Sequence, residues 1–129
     1  MRYVLDTHAL VWFLAKDKRL SKRARDVIQD PQANLIVPTI VLAEVKHIAD
    51  RKRVPVSFAE VLSAVTASAN YTVAPLDIPT IAHLPASLDI HDALIVATAL
   101  HVRQLYNDEV TVLTMDLKIT ESTLTKTLW

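Results

Sequence analysis

Short apolar runs of strand type alternate with longer helical stretches along the whole chain, and turn residues separate them. Arg2-Tyr-Val-Leu5 is the first apolar run, closed by Asp6. Thr7–Ala15 reads as a helix with Asp6 or Thr7 as its cap. After the charged turn Lys16–Arg19, Ser21 starts a second helix that runs to Asp30 and stops at Pro31. Leu35–Val37 is the second strand, followed by a helix from Ile40 to about Arg53 that ends before Pro55. Ser57 caps a helix over Phe58–Ala69, with Asn70 just past its end. Tyr71–Ala74 is the third strand. Asp77 and Pro79 open a short helix through Leu84. The longest helix is expected over Ile90–Tyr106, then a strand over Val110–Thr114. A last helical turn near Lys118–Ser122 and an edge strand at Thr127–Trp129 complete the pattern.

The helix beginning near Ile90 organises the rest. Its segment Ala93-Leu-Ile-Val-Ala-Thr-Ala-Leu100 has apolar residues on every side, which predicts a helix buried nearly all round. Its amino end carries Asp89 and Asp92, where exposed backbone N–H groups favour negative charge. Strands alternating with helices predict a parallel sheet covered on both faces, with right-handed crossovers. Ligands bind such sheets beyond the carboxyl ends of the strands.

At 129 residues and 51% hydrophobic content, residues 1–129 suit a single domain with a sizeable core. The chain has no cysteine, which removes disulfides and thiolate metal sites and suits a cytoplasmic protein. It has no glycine, which excludes P-loop and Rossmann fingerprints and leaves turns to Pro, Asn and Asp. The apolar run Ala9–Ala15 is too short to span a bilayer, so no membrane partner is expected. Net charge is zero, but residues 16–53 carry +5 and the remainder −5. That asymmetry fits either a solvated basic helical face or a polyanion lying across a negative, cation-filled pocket.

Four acids take places that a parallel α/β layout turns to one edge of the sheet. Asp6 and Asp116 follow the carboxyl ends of two strands, and Glu44 and Asp92 lie in the first turns of two helices. Asp6 and Asp116 are also good helix caps, and Asp92 could pair with Asp89 in a box-like cap. Glu44 resists such a reading. At 100° per residue it falls between Ile40 and Ile48, within the arc that also holds Val41 and Val45. A carboxylate in an apolar arc needs a partner. No nearby Lys or Arg neutralises the set, and grouped carboxylates repel unless a cation lies between them. Oxygen ligands select Mg²⁺ or Mn²⁺ over zinc. The five histidines show no paired metal-ligand spacing and read as surface or satisfied residues. Magnesium held by carboxylates is a common device for phosphodiester hydrolysis.

Val4-Leu-Asp-Thr-His8, Glu44 after a strand, Asp89-Ile-His-Asp-Ala-Leu-Ile-Val-Ala-Thr-Ala99, Leu113-Thr-Met-Asp116 and Leu128-Trp129 together resemble the PIN-domain family, most closely its VapC-type toxins. The resemblance spans essentially the whole chain. It implies a three-layer α/β/α sandwich with a central, mainly parallel sheet, and an endoribonuclease dependent on one or two Mg²⁺ or Mn²⁺ ions. Asp6, Glu44, Asp92 and Asp116 would be the catalytic, metal-holding acids, supported by Thr7, Thr114 and Asp89. It further implies a homodimer and a cognate antitoxin whose tail occupies the active-site groove. Many members carry Arg directly after the third acid, where this chain has Ala93.

Candidate RNA contacts are Lys16, Lys18, Arg19, Lys22, Arg23, Lys46, Arg51, Lys52 and Arg53, which would bind phosphates in a salt-sensitive way. Two rival readings keep the α/β layout. One is a non-enzymatic, Mg²⁺-binding regulatory domain of receiver type, which lacks an acidic twin beside Asp6. The other is an inactive PIN-like module that binds RNA or protein.

Overall fold

The β-branched and leucine-rich runs form five strands in the structure, a computed structural model that describes residues 1–129. They are β1 (Arg2–Leu5), β2 (Asn34–Pro38), β3 (Tyr71–Ala74), β4 (Val110–Leu113) and β5 (Lys126–Leu128). They make one sheet in the order β3-β2-β1-β4-β5, and every pairing is parallel. In register, Val4 lies between Ile36 and Val112, and Leu5 pairs with Leu113. The central strands are buried, with Val4, Leu5, Leu35, Val37, Val112 and Leu113 fully enclosed. That is why their sequences are continuous apolar runs rather than alternating ones.

Seven helices connect the strands: α1 (Thr7–Leu14), α2 (Lys22–Gln29), α3 (Thr39–Asp50), α4 (Phe58–Ala67), α5 (Ile78–Ile81), α6 (Ile90–Tyr106) and α7 (Leu117–Ser122). Right-handed crossovers assign α1–α4 to one face of the sheet and α5–α7 to the other. Helix packing is mostly within layers: α1 meets α2 and α3, and α6 meets α5 and α7; α3 also meets α6, where Glu44 faces His91. The result is the expected three-layer α/β/α arrangement. No helix is long and apolar enough to cross a membrane.

The caps follow the sequence closely. Asp6, Ser21, Ser57, Asp77 and Asp116 each accept a backbone N–H at the start of their helices. α6 has the expected ends, and Ala93, Ile95–Ala99 and Val102 are buried. Its last turn, Arg103–Tyr106, is exposed instead. α3 stops at Asp50 rather than Arg53, and α4 at Ala67 rather than Ala69. Glycine's absence leaves ordinary side chains in the left-handed region: Lys16, Lys52, Asn107 and Thr123 have φ of 48–56°. Only Asn107 is of a type that enters this region readily.

The strand order fixes where a site belongs. From β1 the chain moves to β2 and β3 on one side, then returns to add β4 and β5 on the other. The carboxyl ends of β1 and β4 therefore flank the point where the winding reverses, where open α/β sheets hold their ligands.

Candidate active site

Asp6 follows β1 and Asp116 follows β4, so the two acids stand on either side of that reversal. α6 brings Asp92 to the same place from its first turn. α3 brings Glu44 across from the other layer. All four acids line one open cleft of about 460 Å³, together with Thr7, His8, Trp12, His91, Ile95, Met115 and Ile119.

Asp6 is the most enclosed of them, with 6% of its surface exposed. Its Oδ1 accepts the Ala9 N–H at 2.8 Å, so it caps α1 and faces the cleft at once. Burial pushes its carboxyl pKa up, and the Asp116 charge adds to that. The Thr114 hydroxyl, the Ala9 N–H and His8 pull the other way. Thr114 is buried, and its Oγ1 accepts the Asp116 N–H at 3.0 Å. Asp116 in turn caps α7 by accepting the Lys118 N–H at 2.8 Å. Burial also raises the Asp92 pKa, with Asp116 and then Asp89 as the repelling charges, against His91 and Lys118.

Glu44 behaves differently. Its Oε2 accepts the Thr7 hydroxyl at 2.7 Å and lies 2.6 Å from His91 Nε2. The His91 bond holds the Glu44 pKa below the usual carboxylate range, with Thr7 adding to it against partial burial. The same bond raises the His91 pKa, ahead of the smaller pulls of Asp92 and Asp6. The partner demanded by a carboxylate in an apolar arc is thus a histidine and a threonine from other elements.

Three sequence expectations need correction. Asp89 occupies the N-cap position of α6, but its side chain makes no cap bond; it lies 3.4 Å from Lys118 Nζ. The Asp89–Asp92 box does not form, which leaves Asp92 to the cleft. Lys118 also means that the acids have a nearby cation after all, contributed by α7. And His8 and His91 are neither remote surface residues nor satisfied core ones, since both line the cleft. Their spacing in sequence gave no signal, because a histidine next to an acid is uninformative until the fold shows what faces it.

The basic candidates separate into groups. Lys16 and Lys18 line a second cleft, of about 470 Å³, which shares Trp12 with the acidic one and also holds Arg25, absent from the sequence-based set. Arg19 is tied to Asp17 at 2.7 Å and its guanidinium lies 4.5 Å above the Trp12 ring. Lys22 pairs with Asp26 and Lys46 with Asp50 along their own helices. Arg23 is exposed on α2 beside Lys22. Arg51, Lys52 and Arg53 follow the far end of α3, roughly 12 Å along the helix axis from Glu44. They are not brought to the cleft.

The donor set fits a hard divalent cation. It is all oxygen, it is negatively charged, and burial of Asp6 and Asp92 makes ionisation costly without a positive partner. It is not a closed cage, because no three acidic or histidine side chains are grouped tightly enough to enclose an ion. An open set suits Mg²⁺, which keeps several waters and takes few carboxylates.

The PIN-domain family model matches residues 3–121. Among solved structures, the fold is similar to one in VapBC2 from Rickettsia felis bound to a DNA fragment from their promoter. That chain is 13% identical, with a TM-score of 0.70, covering 100% of this chain and 99% of that one. A chain of VapBC-1 from nontypeable Haemophilus influenzae is 18% identical, with a TM-score of 0.66, covering 99% and 97%. At these identities the two likenesses speak for the fold. No curated protein matches the chain.

Proposed function

The chain belongs to the PIN-domain family, and on that premise we propose that it is a metal-dependent endoribonuclease, the toxin of a toxin–antitoxin pair. The observation that carries this is the crowding of Asp6, Asp92 and Asp116 at the winding reversal, where burial raises the pKa of two of the three. Acids so placed fit a positively charged guest better than water. Asp6, Asp92 and Asp116 would hold Mg²⁺ or Mn²⁺, one or two ions, and Glu44 would join them from the opposite wall. Such an ion supplies positive charge to the phosphate and lowers the pKa of an attacking water.

The protein's own part is positioning. The Ala9 N–H fixes one Asp6 oxygen, and Thr114 fixes the loop that carries Asp116. Thr7 and His91 fix Glu44. Locked side chains hold the reacting phosphate and water in one geometry without reorganisation during the reaction. The receiver-type alternative fits poorly, since its usual strand order is 2-1-3-4-5 and this sheet runs β3-β2-β1-β4-β5. The VapBC likenesses favour a cognate antitoxin as partner. Homodimerisation and a cytoplasmic location complete the proposal.

The test is cleavage of total RNA by the purified protein with Mg²⁺ or Mn²⁺ and with EDTA, beside Asp6→Asn and Asp92→Asn. Cleavage that needs the ion and vanishes in both variants is the expected result. Folded protein that binds Mn²⁺ through these acids and cleaves nothing would count against a general ribonuclease.

A further inference from the structure

Trp12 is the wall between the acidic cleft and the basic one, and it lines both. Its indole is nearly enclosed, with 7% of its surface exposed. Trp129 meets it edge-on at 5.8 Å between ring centroids, and the Arg19 guanidinium covers it at 4.5 Å. His8, one helical turn earlier on α1, also stands against it, with ring centroids 5.1 Å apart and planes at 46°. His8 itself is exposed and lines the acidic cleft. It is therefore an aromatic ring standing at the rim of the acids, braced from behind by a fixed indole.

The other imidazole of the cleft, His91, is committed to Glu44. No Phe or Tyr lines the cleft. His8 is thus the ring available to a ligand there. Beyond Trp12, past the end of α1, Lys16 and Lys18 line the basic cleft that Trp12 shares. Lys16 and Lys18 take part in no ion pair, unlike Arg19, Lys22 and Lys46. Arg25, across the basic cleft, spends one N–H on the Leu20 carbonyl at 3.2 Å and has no acidic partner. Acids, a ring and free cations therefore follow one another in a single direction from the site.

Resting on the ribonuclease reading, we propose that His8, braced by Trp12, is a stacking subsite for an unpaired nucleobase next to the scissile phosphate, with the RNA strand leaving toward Lys16, Lys18 and Arg25. Single-stranded RNA is recognised by stacking splayed bases on aromatic rings while cations follow the backbone. His8 carries an exposed ring at the rim of the cleft, so a base next to the phosphate can rest on it. Purines, with the larger ring face, bind this subsite better than pyrimidines.

The test measures Kd for fluorescent oligo-A and oligo-U RNA 8-mers in the Asp92→Asn protein, in which hydrolysis should be slow. His8→Ala is expected to weaken oligo-A binding about tenfold. The oligo-A to oligo-U preference should fall toward one, and His8→Phe should restore it. Mn²⁺ affinity and the salt slope should stay unchanged, because neither a ligand nor a phosphate contact is lost. Lys18→Glu should weaken both oligomers alike. The subsite is overturned if His8→Ala leaves RNA binding unchanged, if His8→Phe fails to rescue, or if His8→Ala lowers Mn²⁺ affinity. In those cases total-RNA cleavage by the parent protein shows that the ribonuclease reading stands and the subsite alone has failed. A parent protein that neither binds the oligomers nor cleaves RNA defeats both.

Discussion

On one wall of the acidic cleft, Asp6, Asp92 and Asp116 crowd together with few partners, and burial pushes the Asp6 and Asp92 carboxyls toward their neutral forms. On the other wall Glu44, bonded to His91 and Thr7, is held in its charged form. The two walls stand in one cleft and face the same solvent, yet they treat negative charge in opposite ways. The difference lies in what each acid was given as a partner by elements far away in sequence. On the crowded wall, burial and neighbouring acids both work against the charged forms of Asp6 and Asp92. Glu44 already has hydrogen-bond partners in His91 and Thr7, so it is free to help only as far as they release it.

That contrast is broken or sharpened first by activity. Asp92→Asn should lower metal-dependent cleavage by about 10²–10³-fold, the usual loss when one preorganised charge partner is removed. Glu44→Gln should cost about tenfold. Equal losses from the two, measured on one RNA substrate under single-turnover conditions, would erase the distinction between the walls.

The next effect is on stability. Mg²⁺ at about 100 times its Kd should stabilise the folded protein by about 2.7 kcal/mol, read from chemical denaturation. Without metal, Asp6→Asn should gain about 1 kcal/mol at pH 7, since Asn keeps the cap and removes the buried charge. The pH dependence has a definite sign. Asp6 is raised above its ordinary value of 3.8 when folded, so the folded state binds the proton more tightly. Metal-free stability should therefore rise as pH falls through the raised value toward 3.8, and Asp6→Asn should flatten that rise. A variant that is less stable than the parent at pH 7 would show that the Asp6 charge is already compensated.

A control lies outside both walls. Thr123 caps the end of α7 with φ of 56°, a β-branched residue in the left-handed region. Thr123→Gly should stabilise by about 1 kcal/mol in thermal or denaturant unfolding and leave Mn²⁺ affinity unchanged. The smallest effect belongs to the partnered wall. His91 and Glu44 side chains are 39% and 31% exposed, so solvent screens their bond and its loss should cost about 0.5 kcal/mol. His91 has a raised pKa, so this cost is present below its ordinary 6.5 and disappears as pH rises through the folded value. Stability of His91→Gln at pH 6 and pH 9 checks it. The same substitution should tighten Mn²⁺ binding a few-fold, on the order of 0.5–1 kcal/mol, by releasing Glu44 to the cation.

Much of this was written locally. Asp6 after an apolar run and Ser21 and Ser57 before helical patterns are signals read within a few residues, and each takes its expected place. β1, β3 and α6 have the ends that their patterns predict. The helix ends at Asp50 and Ala67 come earlier than expected: Lys52 turns left-handed and its N–H and that of Arg53 close on Ala49 and Ile48, while Ser68 turns extended. Asp89 shows the limit of local reading: the residue type and position suit a cap, yet the side chain turns toward Lys118 on another helix.

The sequence by itself determined the alternation of strands and helices, the places of Asp6, Asp92 and Asp116 at element ends and that of Glu44 in an apolar arc, because hydrophobic period and capping chemistry act over one or two turns. Tertiary structure alone decided which of those acids would be crowded and which partnered. His91 reaches Glu44, Trp129 braces Trp12 and Lys16 stays unpaired only because parallel crossovers in the order β3-β2-β1-β4-β5 bring distant segments to one sheet edge. A side chain's charge, its freedom and its use depend on neighbours within a few ångströms, and the chain's linear order does not name them.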